Sequence, residues 1–193
     1  MMKYLRLLEI QPGGWLLLSL LLFFGDWQGL IVILGNVLLH ETGHVLMLQR
    51  FRVHIRRITF DLTGLCICYN GWLLTPVKEF LCAAAGPCVG LIMSVLASLL
   101  GNLFHSEMLL LFAGAGVVLS GFNLLPARPL DGWRMLNALN PVLAAGVSTL
   151  TAVLILVTGI GLMAAGYGTA LAFMGIILLM QDPPTGKRRL LYH

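Results

Sequence analysis

Residues 29–49 read Gly-Leu-Ile-Val-Ile-Leu-Gly-Asn-Val-Leu-Leu-His-Glu-Thr-Gly-His-Val-Leu-Met-Leu-Gln, an apolar run that nevertheless carries His40, Glu41 and His44. About 20 mostly apolar residues are enough for a helix to cross the ~30 Å hydrocarbon core of a bilayer, so this stretch predicts a membrane span. On a helix, positions i and i+4 share a face, so the two imidazoles project together with the carboxylate of Glu41 beside them. Imidazoles at that spacing can reach one Zn²⁺, and the intervening Glu is placed to act as a base. Ionisable groups inside lipid are expensive, which marks the trio as functional. A satisfied polar cluster between packed helices is the structural alternative, and it suits a lone buried histidine better than three such groups at metal spacing.

The rest of the chain agrees with a membrane setting. Of 193 residues, 59% are hydrophobic and only 10% charged, and the mean hydropathy is +0.92. Soluble domains carry about 25% charged residues. Nothing at the start resembles a cleavable signal peptide, because Lys3, Arg6 and Glu9 precede the first apolar run and no small-residue cleavage site follows it. Candidate spans fall at 12–25, 29–49, 78–103, 107–125, 142–164 and 167–181, the first and last being short. Six crossings with the N-terminus inside place all 12 Lys and Arg residues on the cytoplasmic side, as the positive-inside tendency requires. That distribution explains the net charge of +4 by orientation and leaves no basic patch that calls for nucleic acid. It also sets Cys66 and Cys68 in the reducing cytoplasm, where disulfides are not expected; Cys82 and Cys88 read as packing residues within a span.

Two stretches, Tyr4 to Ile10 and Arg57 to Asn70, mix β-branched, aromatic and apolar residues, with Gly64 placed as a turn. They predict strands of a small sheet at the cytoplasmic interface, whose open edge could accept an extended peptide. With no internal repeat and no long segment outside the spans, residues 1–193 read as one domain. The expected fold is therefore an all-α polytopic membrane protein with about six transmembrane helices and a small interfacial β-sheet.

A catalytic zinc takes three protein ligands and keeps a position for water. Asp131 is the best third candidate, because Pro126 and Pro129 break the chain after the fourth span and allow a carboxylate to turn inward. Glu79 at a span entrance, Asp61 in the sheet, and Asp26 and Glu107 on the opposite face fit less well. The alternative for Asp131 is an N-cap for a short helix over Trp133 to Leu139.

Three motifs together resemble the site-2 protease family of intramembrane zinc metalloproteases: Leu39-His-Glu-Thr-Gly-His44, Ala84-Ala-Gly-Pro87, and Asn123-Leu-Leu-Pro-Ala-Arg-Pro-Leu-Asp-Gly132. With the spans they cover most of residues 12–181, and the third motif is the most specific. The six-span form is similar to the branch that includes a sporulation protease processing a membrane-associated sigma-factor precursor. The resemblance implies His40, His44 and Asp131 as ligands of one Zn²⁺ per chain, Glu41 as catalytic base, and Asn123 as a helper at or near the substrate. It implies a membrane-spanning or membrane-tethered protein substrate and a multi-pass protein of a bacterial cytoplasmic membrane with both termini inside. A regulatory membrane protein or a second copy of the chain would be a further partner. Two positions depart from the family pattern: Trp133 replaces a common second Gly after Asp-Gly, and Gly90 replaces a polar residue common after Gly-Pro. Neither a PDZ domain nor a nucleotide-sensing domain is expected. The competing functions are an inactive scaffold that binds membrane proteins, which should have lost the zinc set, and a metal transporter, which should have paired broken helices where only one is visible.

Overall fold

A computed structural model describes residues 8–12, 14–15, 19, 27–61, 64–69 and 74–180. The chain resolves into two compact units, Met1–Gly121 and Phe122–His193.

In the first unit, strand β1 (Leu8–Ile10) precedes a long helix, α1 (Trp27–Arg50). Strands β2 (Ile55–Asp61) and β3 (Gly64–Tyr69) follow, then helix α2 (Pro76–Phe104) and most of helix α3 (Glu107–Asn123). The sheet has the order β1-β2-β3. Its β1–β2 pair is parallel, with Glu9 opposite Thr59, and its β2–β3 pair is antiparallel, with Thr59 opposite Cys66. A parallel pair needs a long crossover, and the α1 segment supplies it. The Glu9 carboxylate accepts from Arg57 across the parallel pair at 3.2 Å, and this bond and charge hold the exposed guanidinium above its ordinary pKa. Tyr69 Oη donates to Glu79 at 3.3 Å, tying the outer strand β3 to the start of α2.

The buried face of α1 runs through Val32, Asn36, His40, Gly43, His44 and Leu48. Those spacings of three and four residues are one stripe of a 3.6-residue helix. Leu48 packs with Val53 and Cys82 in a small core near the sheet. Helix α2 begins with an ordinary stop-start signal: Thr75 accepts from the Lys78 amide and Pro76 takes the first turn, where its missing N–H costs nothing. It ends at His105, whose φ of 51° is the left-handed cap conformation.

The second unit holds the end of α3, an irregular segment over 124–130, helix α4 (Asp131–Leu139), helix α5 (Pro141–Ala164) and helix α6 (Ala170–Met180). Ala127 is fully buried and packs with Ala152 and Leu178. Asn140 caps α5 by accepting from the Leu143 amide at 3.1 Å.

Among the described residues, α1, α2 and α5 are long and apolar enough to cross a membrane, whereas α3 and α6 are shorter apolar helices. The expected spans at 29–49, 78–103 and 142–164 coincide with these three long helices, and those at 107–125 and 167–181 contain the shorter α3 and α6. The span expected at 12–25 lies largely outside the described residues, as do Tyr4 to Leu7, Asn70, Lys3, Arg6, Asp26 and the basic tail. Cys82 is buried as expected of a packing residue, but Cys88 is exposed, because it lies on the face of α2 turned away from α1.

Candidate metal centre

The helix α1 delivers His40 and His44 to the same place. Their Nε2 atoms lie 3.2 Å apart, and the rings stand edge to face at 76° with centroids 4.9 Å apart. Both residues are buried, at 4% and 6% exposure. Two nitrogens each about 2.0–2.1 Å from a tetrahedral zinc are separated by about 3.3 Å, so the pair already has nearly the spacing that shared ligation demands.

The second nitrogen of His44 fixes its tautomer. Nδ1 lies 2.7 Å from the carbonyl oxygen of Cys82. A carbonyl can only accept, so Nδ1 carries the proton and donates, and the lone pair stays on Nε2, the atom that faces His40. Holding the other nitrogen of a ligand histidine in this way is a common device of metal sites.

The sequence between Cys82 and Pro87, Cys-Ala-Ala-Ala-Gly-Pro, makes this bond reachable. A Cβ on Gly43 would lie 2.5 Å from the Ala85 carbonyl oxygen, and one on Gly86 would collide with the Nε2 edge of the His44 ring. Small residues on both helices therefore bring α1 and α2 close enough for a side chain to reach a backbone carbonyl. Glu41 is half-buried on α1, one residue from His40.

In the second unit, Asp131 is the first residue of α4 and 7% exposed. The N-cap is Leu130, so the capping alternative for Asp131 is replaced by a position inside the first turn, where a carboxylate is favoured by the helix dipole. Arg134, one turn on, donates to its Oδ1 at 3.1 Å. The approach segment is pinned, with the Arg128 amide donating to Ser148 Oγ on α5 at 3.0 Å and Leu130 N–H to the Ala127 carbonyl. Trp133 is half-buried with the Arg128 guanidinium 5.0 Å from its ring centroid. Asn123 is the last residue of α3 and half-buried, with bonding partners of its own. His54 and His105 are exposed and stand apart from the His40–His44 pair in sequence and in element.

Sequence reasoning found the imidazoles but missed the Cys82 carbonyl, which has no side-chain signature. It also missed Arg134, which the i, i+3 spacing from Asp131 could have found.

Two buried imidazoles at nearly ligating distance, one with its tautomer set by a neighbouring carbonyl, make a candidate metal centre on an apolar helix long enough to cross a membrane. No family model matches the chain. It is 30% identical over 142 residues to the stage IV sporulation protein FB of Bacillus subtilis, covering 70% of this chain and 49% of that protein. To a zinc metalloprotease of Methanocaldococcus jannaschii it is 28% identical over 120 residues, 58% of this chain and 34% of the other. The chain thus spans between about a third and a half of the length of these curated relatives. Its fold matches the site-2 protease structure from Methanocaldococcus jannaschii with a TM-score of 0.66 at 22% identity, covering 92% of this chain and 93% of that one. These likenesses support the site-2 protease family, and the fold is shared with that solved structure.

Proposed function

We propose that this chain is an intramembrane zinc endopeptidase that cuts a membrane-spanning or membrane-tethered protein. The observation that carries the reading is the 3.2 Å approach of the two Nε2 atoms with the His44 lone pair directed between them. His40, His44 and Asp131 each offer one buried ligand atom, and we assign them to a single zinc. Bound there, zinc would polarise the scissile carbonyl and make water a competent nucleophile near neutral pH.

The chain's own groups do the remainder. Glu41 takes the proton from the attacking water and returns it to the leaving amine, a role usually contributing 10²–10⁴-fold, in round figures, to rate. The Asn123 amide donates to the oxygen on which negative charge develops, a contact worth about 3 kcal/mol where it has been removed elsewhere. A substrate helix hides its peptide bonds in its own hydrogen bonds, so it must unwind, and the outer strand β3 offers a place for the extended segment to pair. Residues 1–193 act as one core that crosses the bilayer six times, with both termini in the cytoplasm of a bacterium. A regulatory membrane protein or a second copy would control access.

The test compares cells expressing the wild type with cells expressing Glu41→Gln. New protein N-termini arising inside membrane spans should appear only with the wild type, while both purified proteins retain one zinc. Identical sets of N-termini would remove Glu41 as the base and the protease with it. Zinc flux into vesicles that is indifferent to Glu41→Gln would instead favour a carrier.

A further inference from the structure

The two ligand histidines are backed differently. His44 Nδ1 has the Cys82 carbonyl, whereas His40 Nδ1 faces the place where α2 carries Gly90 and α3 carries Ser120. A Cβ built on Gly90 would lie 4.0 Å from His40 Nδ1, 3.6 Å from Ser120 Cβ, and in collision with Ser120 Oγ. The missing side chain of Gly90 therefore makes room for the Ser120 hydroxyl on the side of α2 that meets the Nδ1 edge of His40. Ser120 is fully buried at 0% exposure, and its Oγ has no hydrogen-bond partner among the described residues. A buried hydroxyl without a partner is costly, and native proteins retain few. The nearby Ser94 behaves otherwise: its Oγ donates to the Gly90 carbonyl at 2.8 Å.

We propose that Ser120 is the positioning residue of His40, its hydroxyl holding Nδ1 directly or through one water in the space Gly90 leaves open. This rests on the zinc reading above. The chemistry favours a hydroxyl over a carbonyl at this point. While His40 Nε2 donates to the lone pair of His44 Nε2, the His40 Nδ1 is an acceptor; as a zinc ligand through Nε2, the same ring must carry its proton on Nδ1 and donate. A hydroxyl can donate in the first state and accept in the second, which no carbonyl can do. His44 needs only one tautomer in both states, so a carbonyl suffices there.

The test measures zinc affinity of the full chain in lipid nanodiscs by competition with a chelating dye, with metal-free thermal unfolding followed separately. Ser120→Ala should weaken zinc about 10–100-fold, the usual effect of losing a group that orients a ligand. Its metal-free unfolding should shift only by the loss of one buried hydrogen bond, with the fold retained. Ser94→Ala, on the same buried seam, should bind zinc as the wild type does. The decisive variant is Gly90→Ser combined with Ser120→Ala, which returns a hydroxyl to the same space from the opposite helix and should recover affinity to within about threefold of the wild type. Histidine-selective ¹⁵N spectra of the zinc-loaded wild type should show a slowly exchanging proton on His40 Nδ1. Ser120→Ala within twofold of the wild type, a loss the relocated hydroxyl does not restore, or a rapidly exchanging Nδ1 proton overturns the role of Ser120 and leaves the zinc centre standing. A wild type that fails to hold one zinc overturns both.

Discussion

Replacing Gly86 by Ala isolates the fit between α2 and the His44 ring. The added methyl carbon would sit 2.6 Å from Cε1 and 2.8 Å from Cδ2 of that ring, and in collision with Nε2. Restoring ordinary contact at 3.4 Å requires the imidazole to withdraw by more than the 0.8 Å missing at Cε1, because Nε2 is closer still. It is held at its other nitrogen by the 2.7 Å bond to the Cys82 carbonyl, and backbone on α2 cannot give way as a side-chain tip can. Overpacking costs about 1–3 kcal/mol and a lost buried hydrogen bond about 1 kcal/mol more, against roughly 1 kcal/mol gained from helix propensity. The expected net destabilisation is therefore about 1–3 kcal/mol. Displacing Nε2 should also weaken zinc by about 10–100-fold, equivalent to about 1.4–2.7 kcal/mol. Gly114→Ala is the comparison, since nothing lies within 4 Å of a Cβ there and the variant should be neutral or slightly stabilised. Both are read by dye competition and by thermal unfolding in nanodiscs. If Gly86→Ala binds zinc within twofold of the wild type and unfolds at the same temperature, the close approach of α2 to the ring is wrong.

Other perturbations test separate parts of the argument. Arg134→Gln removes the 3.1 Å partner of Asp131, and because Arg134 is 24% exposed the expected loss is modest, about 1–2 kcal/mol in denaturant unfolding; an unchanged midpoint would show that the pair is idle. Asn140→Ala deletes the cap of α5 and should cost about 1 kcal/mol, with Asn140→Asp restoring most of it in the same assay. Leu48→Ala opens a hole in the core shared with Val53 and Cys82, at 1% exposure, and should cost about 2 kcal/mol or more by thermal unfolding, whereas exposed Leu46→Ala should cost little.

What the sequence disclosed follows from the kind of signal each feature carries. The helices were legible because long apolar runs bounded by Pro, Gly and charge have few other readings, and Thr75-Pro76 and Asn140-Pro141 mark two of the starts to within a residue or two. His40 and His44 were legible because the i, i+4 geometry of a helix is local. The parallel pairing of β1 with β2 was not, since it joins segments 50 residues apart in register, Leu8 with Ile58, and nothing in either strand encodes that partner. The placement of Asp131 inside α4 rather than before it turned on a single residue at a helix end, where sequence signals are weakest.

The buried polar groups of the first unit reveal how a hydrophilic centre is kept inside an apolar sheath. Asn36 donates to the Val32 and Phe112 carbonyls, Ser94 to the Gly90 carbonyl, and His44 to the Cys82 carbonyl. Each side chain is satisfied by backbone, whose carbonyl oxygens have a second lone pair left after the helix ladder is made. Lipid supplies no such partner, so a polar residue moved one position around α1 would lose its bond and meet hydrocarbon instead. The register of α1 against α2 is thus set twice over, once by the small residues that permit close approach and once by the carbonyls that this approach brings within reach. Enlarging Gly43 and deleting the imidazole of His44 should therefore not be additive: once the helices are forced apart, the Cys82 bond is already gone, and the double variant should cost little more in stability than Gly43→Ala alone.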